Sequence, residues 1–365
     1  MKKTLLLTKE YFPFFGGVAN YCYSLFKYFD QKDYLVICDH PQVKTADNVL
    51  HLALENKYIW PSWFFSFWKI KKIIQQQKIE IIFTPNILPL GSIAYFLHKF
   101  LHIPYILSLH GLDINLALAS KKNFTYKVLK QAQSILVNSQ ATAKILNCFP
   151  DLKDKIIVLY PSLTLDFAHF DENRLETLRA SLKLDKQTKI FLSVGRLSPR
   201  KGHDLVLEAL AHLEIDDWHY LIVGSGSEKE YLEQLIAKLN LTNKVSILSA
   251  VENVDLIYYY KLANIFLLPQ KQLLSDLEGF GMVFLEAASA ALPIIAGNNG
   301  GVLEILSHKE NALLVNNLAE LEIAIKTLVE DKSLREQLSI AAQKRSQYFS
   351  SAQTQSEKLK KLLSI

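Results

Sequence analysis

The strongest constraint on the fold is a repeated alternation of short, wholly apolar runs with longer segments of helical period. The runs fall near 3–8, 34–38, 80–84, 104–109, 134–138 and 156–159. A second series falls near 189–194, 219–223, 244–248, 264–268, 293–296 and 312–315. They are rich in Ile, Leu and Val and lack polar alternation. That pattern predicts strands covered on both faces, hence parallel sheets joined by crossover helices. The series breaks at 160–188, where Pro161, an acidic stretch and the segment LRASLKLD intervene. Two α/β domains are therefore expected, 1–168 and 169–345, with a polar helical tail at about 346–365 packing back onto the first. A chain of 365 residues is long enough for two such cores.

Half of the residues are hydrophobic and 21% are charged, which excludes extended disorder. The net charge of +5 conceals an asymmetry. Residues 1–165 hold 19 Lys and 10 Asp+Glu, giving +9, and the other 200 hold 22 Lys+Arg and 26 Asp+Glu, giving −4. A basic first half predicts an anionic partner, nucleic acid or a membrane leaflet. All its cations are Lys, with no Arg before Arg174. Lys lacks the planar fork that reads base edges, so sequence-specific nucleic-acid binding is disfavoured. Cys22, Cys38 and Cys148 are too few and scattered for a disulfide framework or zinc site, and read as small hydrophobes in a reducing cytosol. The opening MKKTLLLTKEYF loses its apolar run at Lys9 and Glu10, unlike a signal peptide. Residues 81–98 carry no charge, but Pro85, Asn86, Pro89 and Gly91 interrupt them, so they do not read as a membrane span. The expectation is a cytoplasmic protein, peripheral at the inner face of the cell membrane.

One segment supports the membrane option. From Tyr58 to Ile74, Pro61 opens a predicted helix whose Trp60, Trp63, Phe64, Phe67, Ile70 and Ile74 share one face. Such a stripe more often faces a core. Phe65 and Trp68 fall outside it beside Lys69 and Lys72, and this aromatic, cationic side suits the headgroup region of an anionic bilayer.

The chemistry concentrates in Leu277 to Leu306, LEGFGMVFLEAASAALPIIAGNNGGVLEIL. Glu278 and Glu286 stand eight residues apart around a Gly-Phe-Gly turn. Val283, Glu286, Ala287 and Ala290 share a helical face, so a helix is expected to begin at about Gly281. Free N–H groups at a helix start attract phosphate, and carboxylates accept from neutral hydroxyls. That combination suits a nucleotide sugar, although two solvated glutamates beside a turn would look the same.

Other segments add to it. The first strand runs into EYFPFFGGV, where Gly16-Gly17 before a helix is either a phosphate-approach loop or only a turn. Strand 104–109 ends in His110-Gly111-Leu112-Asp113, which places His110 at a ligand crevice or has it bonding a loop carbonyl. The segment GRLSPRKG supplies Gly195-Arg196 and Lys201-Gly202, a pair of cations able to clamp a diphosphate. A solvated basic loop, to which Arg200 and His203 contribute, is the other reading. Gly224 and Gly226 form a G-x-G without a third glycine, a poor dinucleotide fingerprint that still admits a nucleoside to the backbone.

Together these segments resemble the family 4 glycosyltransferases, retaining enzymes of the GT-B fold, strongly over 190–315 and more thinly over 1–165. The wording around Glu278 and the EYFPFFGGV start look most like the phosphatidylinositol-mannoside type of mannosyltransferase. The resemblance implies two Rossmann-like parallel-sheet domains facing across a cleft, with a nucleotide-diphosphate sugar donor between them. It implies transfer of a hexose with retention, mannose from GDP-mannose favoured, to a lipid-linked or glycan acceptor in cell-envelope polysaccharide or glycolipid synthesis. On the matching positions, Arg196 and Lys201 hold the diphosphate, helped by Gly16, Gly17, Gly195 and Gly226 and by the turn Phe280, Gly281, Met282 and Val283. Glu278 binds hydroxyls of the donor sugar, Glu286 those of ribose, and His110 stabilises charge beside the sugar. A donor phosphate oxygen takes the acceptor proton, so no carboxylate nucleophile is expected, unlike most retaining glycosidases. No metal or other cofactor is expected, since no acidic or His cluster has ligand spacing.

Ser249 and Ala291 stand where the family usually has glycine. Ser249 lies near the expected base, and Ala291 is expected to be a packing change of little consequence. The loop Gln270–Leu277 is longer than the family's shortest version. The rival within the fold is a transferase using UDP-glucose, UDP-galactose or UDP-GlcNAc. A dinucleotide-dependent oxidoreductase is disfavoured by the missing third glycine. A catalytically inactive nucleotide-binding protein would have no need to keep Arg196, Lys201, Glu278 and Glu286 together.

Overall fold

The computed structural model describes residues 2–12, 16–39, 46–56, 58–163, 165–249, 251–252, 254–272, 278–349 and 351–364. The chain forms two compact units, 1–164 with 351–365, and 165–350. Every apolar run named above is a strand.

The first unit contains β1 (Thr4–Leu7), α1 (Gly17–Phe26), β2 (Tyr34–Cys38), β3 (Val49–His51), α2 (Phe64–Gln77), β4 (Ile81–Thr84) and α3 (Leu90–Leu101). It continues with β5 (Tyr105–Leu109), α4 (Leu112–Gln131), β6 (Ser134–Val137), α5 (Gln140–Ile145) and β7 (Ile156–Val158). Its seven strands are parallel, in the order β3-β2-β1-β4-β5-β6-β7. β1, β2, β4 and β5 are buried along their whole length, as two-sided coverage requires. The two edge strands, β3 and β7, are partly exposed, and no apolar run announces β3. An edge strand needs no two-sided burial, so its sequence need carry no such signature.

The second unit contains α6 (Glu172–Ser181), β8 (Lys189–Val194), α7 (His203–His212), β9 (Trp218–Val223), α8 (Lys229–Lys238), β10 (Val245–Leu248) and α9 (Leu256–Leu262). β11 (Ile265–Leu268), α10 (Met282–Ser289), β12 (Ile294–Gly297), β13 (Leu313–Val315), α11 (Leu318–Glu330) and α12 (Lys332–Ser346) complete it. The sheet is again parallel, ordered β10-β9-β8-β11-β12-β13. Chain order reverses between β1 and β4 in one sheet and between β8 and β11 in the other. Ligand crevices of doubly wound sheets lie at such switch points, beyond the carboxyl ends of the strands.

α2 corrects one expectation. It begins at Phe64 rather than at Pro61, and its buried face is Ser66, Phe67, Ile70 and Ile74. Trp60 precedes the helix and is 87% exposed, and Phe64 is 43% exposed, so neither belongs to the buried stripe. Phe65 and Trp68 are exposed, as their position off the stripe implies. Among the described residues, no helix is long and apolar enough to cross a membrane.

The terminal helix α13 (Ala352–Ser364) belongs to the first unit and packs on α1. Leu359 and Leu363 are fully buried in a cluster with Leu25, Phe26 and Phe83, and Lys360 Nζ donates to the carbonyl of Tyr28 at 2.6 Å. Truncating Leu359 leaves a cavity that this packing can only partly close. Leu359→Ala should therefore lower the unfolding free energy in urea by about 2–5 kcal/mol. Ile340→Ala, at a residue 67% exposed, should change it by no more than about 0.5 kcal/mol. Equal effects would mean that α13 is not part of the folded core.

Candidate active site

In the second unit, the loops leaving the neighbouring strands β8 and β11 converge. After β8, a single tight turn at Pro199–Lys201 is followed by Gly202, whose φ is +73°. A Cβ there would lie 2.5 Å from the carbonyl oxygen of Pro269, so only glycine satisfies both the backbone and the space. The close approach sets the turn against the end of β11. Lys201 is only 7% exposed, and its Nζ lies 2.7 Å from Glu278 Oε2. Arg200 Nη1 donates to the same oxygen at 2.7 Å, and Gln270 Nε2 at 2.5 Å.

The loop bearing Glu278 is held from behind by the Gly300-Gly301 pair. Gly301 N–H donates to the Glu278 carbonyl at 2.8 Å, and a Cβ at Gly301 would stand 2.1 Å from the Gly279 oxygen. Burial alone would raise the Glu278 carboxyl, but Lys201 and Arg200 outweigh it and hold the group down at about 2. It is ionised throughout the physiological range. Breaking such a buried ion pair by removing one partner typically costs about 3–5 kcal/mol.

Glu278 precedes α10, which begins where the glycine turn ends. Gly281 is its N-cap at φ +86°, and no side chain among the described residues caps the helix. The first-turn N–H groups, at Met282 and Val283, thus have no side-chain acceptor among the described residues. Glu286 lies one turn further in and is 6% exposed, accepting from Tyr260 Oη at 2.7 Å. Burial pushes its carboxyl up to about 7, against the opposing Tyr260 hydrogen bond. Glu278 and Glu286 are therefore held in different states, one firmly ionised and the other titrating near neutrality.

The remaining residues divide. Gly195 lies beside Lys201, its Cβ position 3.6 Å from Lys201 Cε, and Gly226 presses on the carbonyl of Leu197. The Phe280 ring is buried and meets Phe349 edge-on at 5.5 Å, so only its backbone can face a ligand. Arg196 is exposed and makes no ion pair among the described residues. Of the two expected clamp cations, only Lys201 joins the cluster, and Arg200, read from sequence as loop polarity, is the second cation there. Residues 273–277 of the long loop lie outside the described residues. Ser249 is exposed just after β10. Ala291 has φ +58°, so the substitution is not a simple packing change: a left-handed backbone at a non-glycine residue costs about 1–2 kcal/mol.

In the first unit, α1 begins at Gly17 after an uncapped Gly16, and nothing lies within 4 Å of a Cβ at Gly17. His110 follows β5, its backbone N–H donating to Asp113 Oδ1 at 2.9 Å. Its ring packs edge-on against Tyr21 at 4.9 Å, and Nε2 is buried with no partner among the described residues. Burial holds the imidazole down at about 4, so it is neutral at pH 7. Among the described residues, no group of three or more His, Cys, Asp or Glu is placed to hold a metal ion.

Two family models match the chain, Glycosyltransferase Family 4 over 15–167 and Glycosyl transferases group 1 over 175–345. An uncharacterized glycosyltransferase of Methanocaldococcus jannaschii is 25% identical over 95% of this chain and 94% of its own. A GDP-mannose-dependent alpha-(1-6)-phosphatidylinositol monomannoside mannosyltransferase of Mycobacterium tuberculosis is 24% identical over 87% of this chain and 86% of its own. Among solved structures, Anabaena HepE in complex with UDP and glucose matches with a TM-score of 0.85 at 19% identity over 100% of both chains, a likeness of fold. With both halves matched by these models and a doubly wound parallel sheet in each, the chain belongs to the glycosyltransferases of the GT-B fold, a family 4 domain followed by a group 1 domain.

Proposed function

We propose that this glycosyltransferase moves a hexose, with retention, from a nucleotide-diphosphate sugar to a lipid-linked or glycan acceptor. GDP-mannose is the favoured donor. The observation that carries this reading is the convergence of Lys201 and Arg200 on Glu278 beside the uncapped start of α10. Cations and free N–H groups suit a departing diphosphate, and a fixed carboxylate suits the hydroxyls of the sugar attached to it. As the glycosidic bond lengthens, negative charge grows on the diphosphate, where Lys201 and Arg196 stabilise it. Glu278 accepts from sugar hydroxyls and Glu286 from ribose. His110, neutral and with a ring nitrogen unpartnered among the described residues, stabilises charge developing beside the sugar. A donor phosphate oxygen takes the acceptor proton, and the fixed cations make a metal unnecessary.

The mannose preference rests on the GDP-mannose-dependent relative of Mycobacterium tuberculosis. A UDP-hexose donor is the second reading, favoured by the structural likeness to UDP-bound Anabaena HepE. Nucleotide release should be measured over a panel of GDP- and UDP-sugars with excess chelator. The proposal predicts fastest release from GDP-mannose, unaffected by chelator, and a loss of roughly a hundredfold in Lys201→Ala. Dominant UDP release would move the donor to the second reading. Activity restored only by Mg²⁺ or Mn²⁺ would contradict the metal-free clamp.

The acceptor side is proposed to work at the inner face of an anionic membrane. Tyr58 and Trp60 are 96% and 87% exposed, and Phe65 and Trp68 are half exposed beside the exposed Lys69 and Lys72. Aromatic rings and cations presented together suit a headgroup layer, each cation contributing about 1 kcal/mol near an anionic surface. Co-sedimentation should show binding to anionic vesicles that weakens with salt and is lost on combining Phe65→Ser, Trp68→Ser, Lys69→Glu and Lys72→Glu. Unchanged binding by that variant would remove the surface from the account.

A further inference from the structure

The two oxygens of Glu278 are used unequally. Oε2 accepts from Arg200 Nη1, Lys201 Nζ and Gln270 Nε2, whereas Oε1 has no hydrogen-bond partner among the described residues. Two cations therefore share one oxygen of a single carboxylate, and the adjacent Lys271 is paired with Asp204. Arg200 is fixed by its own backbone as well, its carbonyl accepting from Lys271 N–H at 2.7 Å.

We infer that Arg200 is a positioning residue, which keeps Glu278 ionised and oriented when Lys201 turns to the donor diphosphate. This rests on the donor site proposed above. Lys201 has a flexible stem and a rotatable ammonium, so it can exchange a carboxylate for a phosphate oxygen. Without Arg200, that exchange would leave Glu278 buried, lacking a cationic partner and close to new negative charge. An uncompensated buried carboxylate either takes up a proton or turns away. In both cases Oε1 ceases to be a fixed acceptor for a sugar hydroxyl. With Arg200 present, the Arg200–Glu278 pair persists on Oε2 and Oε1 stays presented. Arg200 thus acts on the sugar through Glu278: the cost of freeing Lys201 falls on any diphosphate, and the loss of the sugar contact falls on the nucleotide sugar alone.

The test compares Arg200→Gln and Arg200→Lys, each alone and combined with Glu278→Gln. Steady-state turnover is measured with the donor that the wild-type protein uses fastest. Calorimetry is run with that nucleotide sugar, or with GDP-mannose if none is turned over, and with its free nucleotide. Arg200→Gln should lower kcat by roughly tenfold or more and weaken the nucleotide sugar by more than it weakens the free nucleotide. Arg200→Lys should recover most of the loss. In the Glu278→Gln background, Arg200→Gln should cost little more, because no carboxylate remains to be held.

Wild-type turnover in Arg200→Gln, or equal losses in both backgrounds, would overturn the inference. So would weakening of the free nucleotide that persists undiminished in the Glu278→Gln background, which would make Arg200 a direct diphosphate ligand. If Arg200→Gln does not fold, Arg200→Lys decides the matter, since it keeps the charge: turnover within a fewfold of wild type supports the role, and full loss with unchanged thermal unfolding refutes it. The binding arm needs no turnover. A protein that binds nucleotide sugar but transfers nothing would defeat the transferase reading and leave the inference open to support or refutation by calorimetry.

Discussion

One buried carboxylate oxygen, Glu278 Oε2, gathers Arg200, Lys201 and Gln270, and the second unit is arranged around that convergence. The donors come from separate loops, one after β8 and one after β11, and the acceptor precedes α10. They meet because β8 and β11 are neighbours at the switch point of the sheet, although 70 residues separate the strands in sequence. Gly202 and Gly301 let the loops approach to distances that any Cβ would forbid. The cluster is costly to desolvate and is tolerated because each charge has a partner. Such a cluster is not by itself a source of stability.

The charge states that follow suit the proposed transfer from a nucleotide sugar. Glu278 is held ionised at about 2 by its cations, an acceptor at any working pH. Burial pushes Glu286, which accepts from the Tyr260 hydroxyl, up to about 7. Burial keeps His110 neutral in the first unit, so its ring can donate one hydrogen bond without adding a fixed charge. Each state has a local cause, and the causes differ between residues of the same type.

Much of this was legible in the sequence, for identifiable reasons. Strands buried on both faces must be apolar along their length, so β1, β4, β8 and β11 announced themselves, and the edge strand β3 did not. The start of α10 was legible because Gly281 and the helical spacing after it coincide. Pro61 misled because proline suits a first helical turn, while the aromatic residues around it left the true start at Phe64 unmarked. That Arg200 reaches Glu278 was not legible, because an arginine in a polar loop reads as solvated and only the turn at Pro199–Lys201 brings it there. Ala291 was misjudged because a left-handed backbone leaves no trace in residue identity unless glycine is present.

The most direct test of the central claim is a crystal structure of the protein with a bound nucleoside diphosphate. The account predicts the diphosphate within hydrogen-bond reach of Lys201 Nζ and the N–H groups of Met282 and Val283, with Arg200 still on Glu278 Oε2. A diphosphate bound elsewhere, with Lys201 still paired to Glu278, would contradict it.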